Sequence, residues 1–269
     1  MTELLQSIFL GIIQGLTEFL PVSSSAHLNI MPWVFKWENI SDSFDLALHA
    51  GTLLAILIYF YKDWLGLVSG GVKKIVKRED SPEGRIFLYI VAATIPAGVL
   101  GLLLEKVIEM LTGDSLDVLM IIISLALIVM GIVLYLVDKK CKAVVSYEKM
   151  TFKQAFLVGV SQALAAAIPG VSRSGITMTV ARSQGLDRES AAKFSFLLSA
   201  PIIAAAVLLS LGDFTFSVEF ISGVAASFLS GLLVIKFLMS YLKKGSYKIF
   251  AVYRVILGAV ILAIAISRI

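Results

Sequence analysis

Long apolar runs separated by short polar connections make up most of the chain, at about 4–20, 22–35, 44–61, 86–104, 116–137, 154–168, 172–182, 190–211, 217–240 and 249–267. Several reach the roughly 20 residues that a helix needs to cross hydrocarbon. Lipid offers no hydrogen-bond partner to an open sheet edge or an irregular chain, so every run predicts a helix. The expected fold is all-α: a polytopic helical bundle integral to a membrane.

Composition strengthens that reading. Of 269 residues, 58% are hydrophobic and 16% are charged, against about half and about a quarter in soluble domains. So little polar surface could not cover a core in water. The net charge of +4 does not point to nucleic acid, because the bases gather in connections between apolar runs. Lys62, Lys73, Lys74, Lys77, Arg78 and Arg85 lie in 62–85; Lys139, Lys140, Lys142, Lys149 and Lys153 lie around 138–153; Lys236, Lys243, Lys244 and Lys248 lie around 236–248. The connection 105–115 instead holds Lys106 beside Glu105, Glu109 and Asp114, and 212–219 holds Asp213 and Glu219 with no base. Basic connections belong in the cytoplasm, so the acidic ones face outside. A single cysteine, Cys141, excludes an intrachain disulfide.

Parity then constrains the path. The run 190–211 must end outside, so it starts inside, on the same side as the basic connection ending near Lys153. The stretch 154–182 therefore leaves and returns on one side, with Pro169-Gly170 at its middle where a chain can reverse. The same logic makes 4–35 a hairpin or a crossing pair broken at Pro21. Gly11, Gln14, Leu16, Pro21 and Ser24 recur at one offset as Gly159, Gln162, Leu164, Pro169 and Ser172. Phe44, Leu48 and Ala50 fall beside Phe194, Leu198 and Ala200 at nearly the same offset. The halves 1–145 and 146–269 thus read as inverted repeats, each a re-entrant helical hairpin plus three transmembrane helices. Such repeats put their sites near the midplane, where hairpin tips meet.

Two polar strings fall at the two hairpin turns. In the first, Gln14 and Glu18 are four apart and share a helix face. Pro21, Ser23, Ser24, Ser25 and His27 follow. A carboxylate at membrane depth usually faces a polar cavity or a partner. Glu18 and Gln14 are candidate oxygen ligands for a hard cation, Mg²⁺ first and Ca²⁺ second. The competing reading is an ion pair between Glu18 and Arg173 that is purely structural. At least one serine is expected to cap a helix; a hydroxyl beside a carboxylate or imidazole is also a candidate nucleophile. His27 is a candidate for acid/base work. In the second string, Ser172-Arg173-Ser174 opens a helix after Pro169-Gly170. Small hydroxyls at a helix N-terminus with a guanidinium fork suit a phosphate.

Those strings closely resemble the signatures of the bacterial undecaprenyl-diphosphatase family, also known as bacitracin-resistance proteins. The resemblance runs the whole length. It rests on Gln14 to Glu18, followed by Pro21-Val22-Ser23-Ser24, and on Pro169-Gly170-Val171-Ser172-Arg173-Ser174 through to Thr177. The family takes Gln or Glu at the first acidic position, and Gln14 brings one charge fewer. The resemblance implies hydrolysis of undecaprenyl diphosphate, a polyisoprenoid diphosphate, to the monophosphate that carries cell-wall precursors. It also implies dependence on a divalent cation. The protein is expected in the bacterial plasma membrane, its site opening to the extracytoplasmic side, with a homodimer as a candidate assembly. On this reading Arg173, with Ser172, Ser174 and Thr177, grips the diphosphate. Ser23 and Ser25 add phosphate contacts, and Ser24 is the nucleophile, with direct attack by water as the competing route. Glu18 and Gln14 hold the cation, and His27 moves protons or orients a phosphate oxygen.

A transporter of lipid phosphates is the rival reading, since inverted repeats with broken helices are typical of transporters. The type-2 phosphatidic acid phosphatases fit poorly, because they need a second histidine downstream and His49 lies upstream. His49, at the start of the run 44–61, is expected in a hydrogen-bonded structural role, with lining of the site as the alternative. Ser195 and Gln162 are expected on the cavity wall, and Arg254 snorkelling to the cytoplasmic interface.

Overall fold

A computed structural model describes residues 3–37, 42–112 and 115–268. Its eleven described α-helices are α1 (Glu3–Phe19), α2 (Ser24–Phe35), α3 (Asp42–Tyr59), α4 (Tyr61–Val76), α5 (Pro82–Thr112), α6 (Leu116–Lys140), α7 (Phe152–Ala167), α8 (Arg173–Ser183), α9 (Arg188–Leu209), α10 (Val218–Leu242) and α11 (Lys248–Arg268). Five of them, α5, α6, α9, α10 and α11, are long and apolar enough to cross a membrane. The pair α3–α4, bent by 78°, makes a sixth candidate. The fold is an all-α polytopic membrane protein, as the apolar runs require.

The expected hairpins are α1–α2 and α7–α8. Their helices have 17, 12, 16 and 11 residues, each short of a full crossing. Thr151 starts α7 with a reciprocal cap to Gln154, which satisfies two N-terminal amides at once. Gly170, at φ 95°, makes the reversal into α8 that an L side chain resists.

Each hairpin packs on a helix of the other half of the chain. The first leans α1 on α10, and the second leans α7 on α5. Gly11 meets the backbone of Gly223, and Gly159 meets the backbone of Ala93, with no room for a β-carbon at either. Small residues let helix backbones approach where no hydrophobic effect drives them together. The repeating glycines of the sequence are thus the contact points of two exchanged pairs. Helices α6 and α11 pair with each other, with Gly258 against the Ser124 carbonyl.

Two differences from the sequence reading stand out. The stretch 62–85 contains helix α4 rather than only a basic connection. Its exposed Tyr61, Leu65, Val68, Val72 and Ile75 recur at spacings of four and three, forming one apolar stripe. On another face Gly70 and Gly71 let α4 close on Gly84 and Phe87 of α5. Counting its lysines as a loop concealed that period. Helix α5 also runs on to Thr112, eight residues past the expected end at 104. The side chains of Glu105, Lys106 and Glu109, and the whole of Asp114, lie outside the described residues.

At the end of the bundle where α6 stops, Asp138 is a buried knot. Its carboxylate accepts from Arg188 Nε at 2.8 Å and Arg182 Nε at 3.2 Å. It also accepts the Tyr247 amide at 3.1 Å. One carboxylate therefore fastens α8, α9 and the start of α11 to α6. Burial, with Asp138 beside it, pushes the Tyr247 hydroxyl pKa up, so it stays a donor to the Arg188 carbonyl at 3.0 Å.

Candidate active site

Helices α2 and α8 begin in the same unusual way. Ser23 and Ser172 cap them at φ 78° and φ 70°, a region that non-glycine residues rarely occupy and that stores strain. Each cap oxygen accepts the amide three residues on, Ala26 at 3.3 Å and Gly175 at 3.0 Å. Each also lies against the hydroxyl two residues on, Ser25 at 3.2 Å and Ser174 at 3.3 Å. The residue after the cap, Ser24 in one hairpin and Arg173 in the other, is thereby thrown forward at the first position of its helix. Two equivalent elbows present a hydroxyl and a guanidinium.

Both reach Glu18, in the last turn of α1 and buried. Arg173 pairs with Glu18 Oε1. Ser24 Oγ donates to Oε2 at 2.6 Å, and Gln14 Nε2 donates to the same oxygen at 3.1 Å. His49, on α3, has the expected structural hydrogen bond, Nδ1 lying 2.8 Å from the Asp45 carbonyl, and it also lines the site, with Nε2 at 3.6 Å from the same Glu18 oxygen. Ser174 Oγ donates across the hairpins to the Leu20 carbonyl at 3.1 Å.

Two expected members are turned elsewhere. His27 is buried, with Nδ1 at 2.7 Å from the Ser23 carbonyl and Nε2 at 2.6 Å from the Tyr253 hydroxyl. No contact joins it to Glu18 or Arg173. Thr177 donates to the Arg173 carbonyl at 2.7 Å and meets Ser195 Oγ at 2.6 Å. It braces α8 on α9.

Arg254 is the residue that sequence reasoning misplaced. It is fully buried, not snorkelling, and its guanidinium bonds the turns of both hairpins. A base inside an apolar span was the available signal; its position near the start of the run gave the wrong weight to the interface.

Among the described residues no group of three or more His, Cys, Asp and Glu is arranged to hold a metal ion. The site does offer two oxygens. Glu18 is one source, and Gln14 Oε1 is a buried acceptor without a hydrogen-bond partner. That pair fits a Mg²⁺ ion that takes its other ligands from water and phosphate oxygens.

A polytopic membrane bundle whose two hairpin tips join a carboxylate, a hydroxyl and a guanidinium is the class that fold and site define together: a membrane protein with a buried polar centre suited to an anionic head group. The chain belongs to the family described as bacitracin resistance protein BacA, which it matches over residues 7–260. It is 46% identical over 266 residues to an undecaprenyl-diphosphatase of Pelotomaculum thermopropionicum, covering 98% of this chain and 97% of the relative. It is 48% identical over 271 residues to an undecaprenyl-diphosphatase of Caldicellulosiruptor bescii, covering 98% of each. One from Marinobacter nauticus is 39% identical over 269 residues, covering 97% of this chain and 99% of that one.

Proposed function

We propose that this protein hydrolyses undecaprenyl diphosphate to undecaprenyl phosphate and inorganic phosphate, returning the lipid carrier to cell-wall synthesis. The observation that carries the reading is the meeting of Ser24 and Arg173 on one buried carboxylate, Glu18. The names of the relatives supply the substrate. Its setting is the bacterial plasma membrane, with the tail in lipid and the head group entering from the extracytoplasmic side. The halves act as inverted repeats, and the exchanged packing of α1 on α10 and α7 on α5 supports that view.

The steps follow from the contacts. The terminal phosphate draws Arg173 from Glu18, and its charge is met by the guanidinium and the hydroxyls of Ser172 and Ser174. Glu18, freed of its cation partner, takes the Ser24 proton across the existing hydrogen bond. Ser24 Oγ attacks the terminal phosphorus, the anhydride P–O bond breaks, and undecaprenyl phosphate leaves with that electron pair. Glu18 then gives that proton up to solvent. As water attacks phosphoserine 24, Glu18 accepts one proton from the water and returns it to Ser24 Oγ while the serine P–O bond breaks, releasing phosphate with Ser24 restored. His27 fixes the first elbow through the Ser23 carbonyl; a proton role requires it to leave Tyr253. Glu18 and Gln14 would hold the divalent cation, Mg²⁺ or Ca²⁺, whose bound charge offsets that of the phosphate oxygens. Most of the rate enhancement is charge stabilisation and placement.

The test is phosphate release from a long-chain isoprenyl diphosphate by purified protein in detergent, with and without chelator. Release that stops in folded Arg173→Ala supports the reading, and release at the wild-type rate rejects the site. A transporter, which the exchanged packing also suits, would release no phosphate.

A further inference from the structure

Arg254 has no role in the chemistry above, yet it is the largest fully buried side chain among the described residues. Nη1 donates to the Pro21 carbonyl at 3.1 Å. Nη2 donates to the carbonyls of Gly170 at 2.8 Å and Val171 at 2.9 Å. Nε makes a longer contact, 3.4 Å, with the Leu127 carbonyl of α6. Pro21 precedes the first elbow by two residues; Gly170 and Val171 immediately precede the second. One guanidinium on α11 is therefore bonded to both turns at once. It forms no salt bridge among the described residues.

Two properties of this contact go beyond packing. A guanidinium is a rigid plane of five donors, so carbonyls bonded to its two ends are held at a fixed separation. The turns come from segments almost 150 residues apart, and a flexible ammonium could not set that separation. The charge is also unneutralised at a depth where ions are strongly disfavoured, beside two helix N-termini that already favour an anion. A neutral amide would meet some of these carbonyls without that penalty.

We infer that Arg254 is the positioning residue of the site: it sets the distance between the Ser24 and Arg173 elbows and adds positive potential beneath the bound diphosphate. It touches neither substrate nor reacting atoms. Gly175 belongs to the same device. A β-carbon there would come within 2.6 Å of Nη1, so only glycine in the first turn of α8 leaves the guanidinium its seat. The inference rests on the phosphatase reading, since it explains what that geometry is for.

The experiment measures kcat and KM for phosphate release by wild type, Arg254→Met, Arg254→Lys and Gly175→Ala, scaled to folded protein by size-exclusion profile and thermal melt. A misplacement near 1 Å at a reacting centre lowers rate by about 100-fold. Arg254→Met is expected to lose kcat by about that factor, with KM changed less than about threefold, because Arg173 still binds the phosphate. Arg254→Lys keeps the charge and is expected to regain part of kcat. Gly175→Ala keeps every functional group and is expected to lower kcat in the same sense. A purely structural arginine would lower the folded fraction and leave kcat per folded molecule intact, and that result overturns the inference. If Arg254→Met does not fold, wild-type kcat in folded Arg254→Lys and Gly175→Ala overturns it equally. No release by wild type would reject the phosphatase reading and this inference together; release by wild type with full kcat in the variants rejects the positioning role alone.

Discussion

Ser24 donates to Glu18 across 2.6 Å, although a tight turn and a change of helix separate them. A hydroxyl pointed at a buried carboxylate is partly prepared for deprotonation, and that carboxylate, through its other oxygen, holds the place on Arg173 that a phosphate would claim. The proposed nucleophile and the proposed clamp are thus linked through one side chain, the proposed base.

Glu18→Gln keeps the shape and removes the proposed base. It also strands Arg173, and breaking a buried pair by removing one partner costs about 3–5 kcal/mol. Glu18→Gln is expected to melt lower than wild type and to lose kcat by about 100-fold or more, a loss of the size that general base catalysis supplies. Melting and phosphate release on the same sample separate the two effects.

The caps can be tested through their strain. Ser23→Ala and Ser23→Gly both lose the bond to the Ala26 amide, roughly 1 kcal/mol for an N-cap. Only glycine relieves φ 78°, a conformation that costs other residues about 1–3 kcal/mol. Ser23→Gly should therefore unfold at a higher temperature than Ser23→Ala, and the reverse order would reject the strain.

The exchanged packing makes its own prediction. Gly159 lies against the backbone of Ala93, so Gly159→Val must separate α7 from α5. Overpacking of this kind costs about 1–3 kcal/mol, and the lowered melting temperature should come with lost turnover, because α7 carries the second elbow. Leu157→Val, at an exposed position on the same helix, should change neither by a measurable amount.

Much of this was legible in the sequence, for physical reasons that differ by residue. The spans were readable because lipid allows long apolar helices and little else, and the breaks at Pro21 and Pro169-Gly170 because a chain can reverse there. Glu18 and Arg173 were readable because ions in apolar runs need partners. His27 was harder: its partner Tyr253 lies in the last helix, and no local spacing announces a contact over that distance. Arg254 was misread for the same reason, since its acceptors are backbone carbonyls, which carry no residue identity. Helix α4 was obscured because its lysines, on one face, masked the apolar stripe on another.

In the proposed mechanism Ser24 carries the phosphoryl group between substrate and water. Purified protein, given an isoprenyl diphosphate labelled in its terminal phosphate and quenched in acid, should hold label on Ser24. Ser24→Ala should lose both label and turnover while melting near wild type. Turnover at the wild-type rate in folded Ser24→Ala would rule out the phosphoserine and assign the attack to water.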